Sequence, residues 1–175
     1  MKIRSISHSG LTVKSFEKAI KWYNEMFGFV LVAEEFFTKE KVMELFPLYG
    51  VSDSTMKCGF LRAPKGTVLE IFEFSNTAPD AKKCWGQPGF THLTLDVRNV
   101  SKWYEKLKAK GVRFYFEPQK TGNVEWVFLQ DPDGNPIELI DLKANYGVIR
   151  LLGGIAGNIM AKGKFKKYYM EGKNV

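Results

Sequence analysis

The chain of 175 residues has only two histidines, and they occupy matching places in two similar strings, His8 in ISHSGLTV and His92 in FTHLTLDV. Two glutamates recur in the same manner, Glu70 in TVLEIFEF and Glu138 in PIELIDL. Two imidazoles and two carboxylates are a donor set for one divalent cation, suiting Zn, Ni, Co, Mn or Fe and leaving coordination positions for water or substrate. Without a cation, carboxylates on an inward face would be costly to desolvate. Lone histidines would read as hydrogen-bonded core residues; four donors in matching places favour the metal.

Strand parity states where these groups point. In TVLEIFEF, Leu69 and Ile71 share one face and Val68, Glu70, Phe72 and Phe74 the other. In PIELIDL, Ile137 and Leu139 oppose Glu138 and Ile140, and in GFTHLTLDV, Leu93, Leu95 and Val97 oppose Phe90, His92, Thr94 and Asp96. If the Leu/Ile/Val faces pack on helices, both histidines and both glutamates face the other way. Glu73, on the opposite parity from Glu70, is expected to face solvent.

The elements that must position these residues form a repeat. Strand-like residues 3–8 precede SFEKAIKWYNEMF, where Phe16, Ala19, Ile20, Tyr23 and Phe27 make a helical apolar face between an N-cap at Ser15 and a stop at Gly28. Strands are expected at FVLVAEEFF, TMKCGFLRA and TVLEIFEF. The second half repeats the order: GFTHLTLDV, a helix VSKWYEKLKAK between Asn99 and Gly111, then VRFYFEP, VEWVFLQ and PIELIDL, the last introduced by the turn DPDG. Each half reads βαβββ, an α+β fold. His8 and His92 are 84 residues apart, Gly28 and Gly111 are 83, and Glu70 and Glu138 only 68. The first half therefore carries about sixteen extra residues before its last strand, placed within EEFFTKEKVMELFPLYGVSDS and read as a surface elaboration in preference to a lid.

Charge and composition exclude other classes. Residues 1–142 hold 19 Lys/Arg and 18 Asp/Glu, whereas 143–175 hold 7 and 1. The basicity belongs to a tail, and a balanced body does not predict nucleic-acid binding. No apolar run approaches a membrane span, no secretory leader is expected at MKIRSISHSG, and a cytoplasmic protein is the expectation. Cys58 and Cys84 lack metal or redox spacing and are assigned no chemistry.

The paired βαβββ halves, with THLTLDV, FLQDPDGNPIELID and LEIFEF carrying the match, resemble the vicinal oxygen chelate superfamily. That superfamily includes glyoxalase I, methylmalonyl-CoA epimerase, extradiol dioxygenases and bleomycin-resistance proteins. The resemblance covers residues 1–142 as one domain, with modules at 1–80 and 88–142, and leaves 143–175 as a basic extension. It implies a curled eight-stranded mixed sheet around a metal cavity with His8, Glu70, His92 and Glu138 as ligands, and often a homodimer.

The expected reaction is that of a metal-dependent lyase or isomerase acting on a small substrate, in which the cation polarises a carbonyl and a glutamate moves the adjacent proton. The resemblance to glyoxalase I makes Glu138 the first choice for that base and Glu70 its partner. A glutamate at position 70 tilts the set away from the epimerases, where glutamine is common. An Fe(II) ring-cleaving dioxygenase is weakened because both histidines are already ligands, and a drug-binding resistance protein because all four ligand positions are filled. In the bacterial glyoxalase pattern an arginine four residues after the first histidine and an asparagine four after the first glutamate hold glutathione; here Thr12 and Phe74 stand there. The resemblance therefore carries the reaction type without carrying glutathione. Phe72, Phe74, Phe90, Trp126 and Phe128 are the pocket candidates.

In the tail, Ile149, Leu152, Ile155 and Ile159 have helical spacing, while Gly147, Gly153, Gly154 and Gly157 weaken a helix by up to ~1 kcal/mol each. The extension is expected to dock on its own domain or on a second subunit. Because the lysines cluster after the apolar part, docking is preferred to the second reading, a basic membrane-surface segment.

Overall fold

Ser15 begins the first helix as the spacing predicts: its hydroxyl accepts from the amide of Lys18, and Gly28, at φ 73°, closes the other end. The left-handed conformation there favours glycine. The computed structural model describes residues 5–77, 85, 86 and 88–169. Its elements run β1 (His8–Thr12), α1 (Phe16–Phe27), β2 (Val30–Phe37), α2 (Lys39–Glu44), α3 (Phe46–Tyr49), β3 (Met56–Arg62) and β4 (Val68–Phe74). The second series is β5 (Leu93–Asp96), α4 (Val100–Ala109), β6 (Gln119–Thr121), β7 (Val124–Gln130) and β8 (Pro136–Asp141), followed by α5 (Ala144–Lys162).

The eight strands lie in two four-stranded mixed sheets of the same topology, β1-β4-β3-β2 and β5-β8-β7-β6. The first and last strands of each repeat pair in parallel, a pairing that needs a long crossover between them. The chain divides into two compact units, Met1–His92 with Gln130–Pro136, and Leu93–Leu129 with Ile137–Val175.

In the first unit, α1 buries Phe16, Ala19 and Tyr23, and Leu61, Leu69 and Ile71 are buried on β3 and β4. Each of the large aliphatic and phenylalanine side chains among these contributes about 1.5–3 kcal/mol when fully buried. Gly59 lets the helix approach: a Cβ there would sit 2.7 Å from the Phe16 ring. In the second unit, Val100, Tyr104 and Leu107 of α4 are buried, as are alternate residues Val127 and Leu129 of β7 and Ile137 and Leu139 of β8.

Four elements depart from the sequence reading. The first strand begins at His8 where it was expected to end, and β5 begins one residue after His92, so neither histidine lies in mid-strand. VRFYFEP forms only an isolated bridge, Phe114 to Leu129. Its aromatic pattern serves ring packing, Phe114 against Tyr104 at 4.7 Å and Phe116 against Trp126 at 5.6 Å. The extra residues of the first repeat form α2 and α3, and Val42 of α2 is fully buried with Met56 and Cys58, against Phe37, Tyr49, Phe72 and Phe74. They cover one end of the face that carries Glu70, so they are more than a surface elaboration.

Candidate functional site

The register of the two parallel ladders places the proposed donors alike. Glu70 pairs with Gly10, two residues after His8. Glu138 pairs with Thr94, two residues after His92.

In the first unit the pair is in contact: His8 Nε2 lies 3.2 Å from Glu70 Oε2, with Glu70 four-fifths covered. Phe60, opposite Glu70 on β3, packs edge-on against the His8 ring at 5.8 Å. The other ring nitrogen, Nδ1, is 2.9 Å from the Ser7 hydroxyl. His92 shows the same device, with its Nδ1 2.7 Å from the Thr91 hydroxyl, and its ring stacks on Trp85 at 5.1 Å. An imidazole whose Nδ1 proton is accepted by a neighbour keeps Nε2 as a lone pair for a cation. In the second unit the Thr94 hydroxyl donates to Glu138 Oε2 at 3.0 Å.

The donor chemistry and the engaged Nδ1 atoms fit a divalent cation, and the ligand types do not choose among Zn, Ni, Co, Mn and Fe. Among the described residues no three His, Cys, Asp or Glu side chains gather closely enough to hold a metal ion. Within the two units the donors make these contacts: His8 with Glu70, His92 with Thr91 and Trp85, and Glu138 with Thr94.

The aromatic candidates divide. Phe72 and Phe74 lie on the face of Glu70 and pack under α2 and α3, Phe74 meeting Tyr49 at 5.5 Å. Trp126 and Phe128 form an edge-to-face pair at 5.9 Å, joined by Phe116, with the Trp126 indole donating to Thr121. Phe90 is fully exposed and lies outside β5, so its expected inward place on that strand is not realised. Glu73 is not solvent-facing either: its carboxylate accepts from the amide of Phe16 at the start of α1. A helix N-terminus carries partial positive charge and free N–H groups, which explains an acidic side chain on the helix-packed parity.

Sequence reasoning missed four contributors. Ser7 and Thr91 were legible only as hydroxyls preceding each histidine. Tyr49 and Cys58 share the covered end of the Glu70 face. Burial pushes the Cys58 thiol up, with the charges of Glu70 and Glu35 adding to it, and burial raises the Tyr49 phenol, with Cys58 and Glu70 adding. Both groups are held neutral. Cys84 lies outside the described residues. A shallow surface depression lined by Ser101, Glu105, Glu117 and Lys120 contains none of the candidate donors.

The DPDG turn is an anchor. Asp131, 2% exposed, accepts from the amides of Asp133 and Asn135, from the Asn135 side chain and from the Tyr23 hydroxyl at 3.2 Å. Asp133 in turn accepts from the amide of Lys14.

A sequence profile of the Glyoxalase/Bleomycin resistance protein/Dioxygenase superfamily matches residues 5–139. Over 141 residues the chain is 29% identical to a probable lactoylglutathione lyase of Vibrio parahaemolyticus, covering 79% of this chain and 91% of that protein. It is also 29% identical over 141 residues to a probable chloroplastic lactoylglutathione lyase of Arabidopsis thaliana, covering 79% of this chain and 36% of that one. The chain spans less than half the length of the Arabidopsis relatives it matches. The solved structure of the trypanothione-dependent glyoxalase I of Leishmania major superimposes with a TM-score of 0.63 at 21% identity, covering 89% of this chain and 99% of that one.

Proposed function

The chain belongs to the Glyoxalase/Bleomycin resistance protein/Dioxygenase superfamily, and from that premise we propose that it is a metal-dependent lyase or isomerase of the glyoxalase type. Its substrate is a small carbonyl compound with an acidifiable neighbouring C–H. His8, Glu70, His92 and Glu138 hold one divalent cation, which when bound supplies Lewis-acid polarisation of the carbonyl. Glu138 takes the proton and returns it to the neighbouring carbon, its carboxylate steadied by the Thr94 hydroxyl. Glu70 and His8 are ligands, and Ser7 and Thr91 orient the imidazoles.

One observation carries this reading: each ladder sets a glutamate opposite the residue two places beyond its histidine. The relatives named lactoylglutathione lyase support a 2-oxoaldehyde thiol adduct as the substrate class. Thr12 and Phe74, in place of the residues that hold glutathione, favour a different thiol, with Phe72, Phe74, Trp126 and Phe128 as pocket walls. Residues 1–142 acting as one domain, a cytoplasmic location and a homodimer belong to the same proposal.

The test is turnover of hemithioacetals made from methylglyoxal and a series of thiols. Activity is expected to vanish on chelation, to return with added metal and to fall on Glu138→Gln. Turnover unaffected by chelation, or by that substitution, contradicts the reading.

A further inference from the structure

Among the described residues, the segment after the second sheet leaves its apolar stripe exposed where docking on its own domain was one expectation. At 1.5 Å per residue, the nineteen residues of α5 extend about 28 Å. Val148, Leu151, Leu152, Ile155 and Ile159 recur at intervals of three and four, which puts them within an arc of about 100°. A helix with such a stripe ordinarily buries it, yet these five are 54–79% exposed. Gly153, Gly154 and Gly157 occupy the opposite side, with Arg150 as its one charged residue.

The residues just beyond the helix indicate the partner that covers the stripe. Lys162, Lys164, Lys166 and Lys167 alternate with Phe165, Tyr168 and Tyr169, and residues 143–169 hold six Lys/Arg and no Asp or Glu. A 3-10 turn over Lys166–Tyr168 folds this cluster. The Lys164 ammonium lies 5.5 Å from the Phe165 ring and the Lys167 ammonium 4.9 Å from the Tyr168 ring, with Tyr168 and Tyr169 over 70% exposed. Aromatic rings with a polar end and long cationic side chains both suit the boundary between hydrocarbon and water. Among the described residues no helix is long and apolar enough to cross a membrane. Packing two copies stripe to stripe would set six cations against six, with no carboxylate in the segment to offset them.

We propose that α5 and the basic aromatic turn after it form an interfacial anchor for bilayers rich in anionic lipid. The aliphatic stripe lies among the acyl chains and the lysines among the headgroups. As charges the helix carries only Arg150 and its last residue, Lys162, so the lysine cluster supplies most of the attraction and the stripe supplies the retention.

Flotation of the full chain with phosphatidylcholine vesicles, with and without a third of phosphatidylglycerol, tests this. Partition into the anionic vesicles should exceed that into neutral ones by at least about tenfold and weaken with salt. Replacing Lys162, Lys164, Lys166 and Lys167 by Gln should remove the preference. Leu152→Asp with Ile155→Asp, both exposed among the described residues, should abolish binding while the circular dichroism of the remaining fold persists. Equal partition into both vesicles overturns the proposal. Anionic binding that survives the two aspartates also does, since it would be attraction to any polyanion. So does vesicle-independent dimerisation abolished by Ile155→Asp, which would make a second copy the cover.

Discussion

The two repeats start from one plan and use it differently. Eighty-four residues separate His8 from His92, Ser7 from Thr91, Gly10 from Thr94 and Tyr23 from Leu107. The hydroxyl beside each histidine is retained. At the next pair, the residue opposite the glutamate is a glycine in the first repeat and a threonine in the second. Glu70 accordingly turns to the His8 imidazole, while Glu138 takes the Thr94 hydroxyl. Under the proposed function the first of these carboxylates is a ligand and the second exchanges the proton. At the helix pair, Tyr23 reaches Asp131, while Leu107 only packs. The repeats thus share one register and differ in the partners of their glutamates and helix residues.

The largest expected effect separates the glutamates. At saturating metal, Glu138→Gln should lower kcat by roughly 10²–10⁴, whereas Glu70→Gln should act mainly on metal affinity and leave most of kcat once metal is supplied. Equal losses of kcat would erase the distinction between them.

The tyrosine comes next. Tyr23→Phe removes a hydrogen bond to a buried carboxylate and should cost about 1.5–3 kcal/mol in urea unfolding. Burial, then the charge and hydrogen bond of Asp131, raise the Tyr23 phenol well above its ordinary value of 10.0. Above that pH the unfolded chain ionises this tyrosine while the folded one keeps it protonated, so stability should fall as pH rises past the ordinary value. The phenylalanine variant should lack that part of the alkaline loss, and an unchanged slope would show that Tyr23 is not its source.

Smaller effects probe the shared hydroxyls. Ser7→Ala and Thr91→Val should each weaken metal binding about 10–100-fold in calorimetric titration, with Thr91→Ser restoring it. An effect of only one of them would mean that the repeats orient their histidines differently. Smallest, Gly154→Ala and Gly157→Ala, where an added Cβ meets open space, should each raise the stability of α5 by about 1 kcal/mol as followed by amide exchange.

Much of the fold was legible because local chemistry dictated it. Ser15, Gly28 and Asn99 mark helix ends with groups that satisfy free amides or adopt a left-handed turn. Alternation assigned the faces of β4 and β8 correctly, with Leu69, Ile71, Ile137 and Leu139 buried. What was not legible depended on partners distant in sequence. Nothing local shows that Glu73 would cap α1, that Asp131 would receive Tyr23 across 108 residues, or that Val42 would bury beside Phe72. Phe114 and Phe116 looked like strand residues because ring packing and strand pairing both select aromatics. For the site, residue types and their register could be read; which donors meet is set by tertiary placement.

The central claim is that both repeats serve one cation. Metal content of the purified protein, measured by elemental analysis for the wild type and for His8→Ala and His92→Ala, tests it most directly. One tightly held divalent ion per chain, lost from both variants alike, is the predicted result. Two ions per chain, or an ion retained when either histidine is removed, would contradict it.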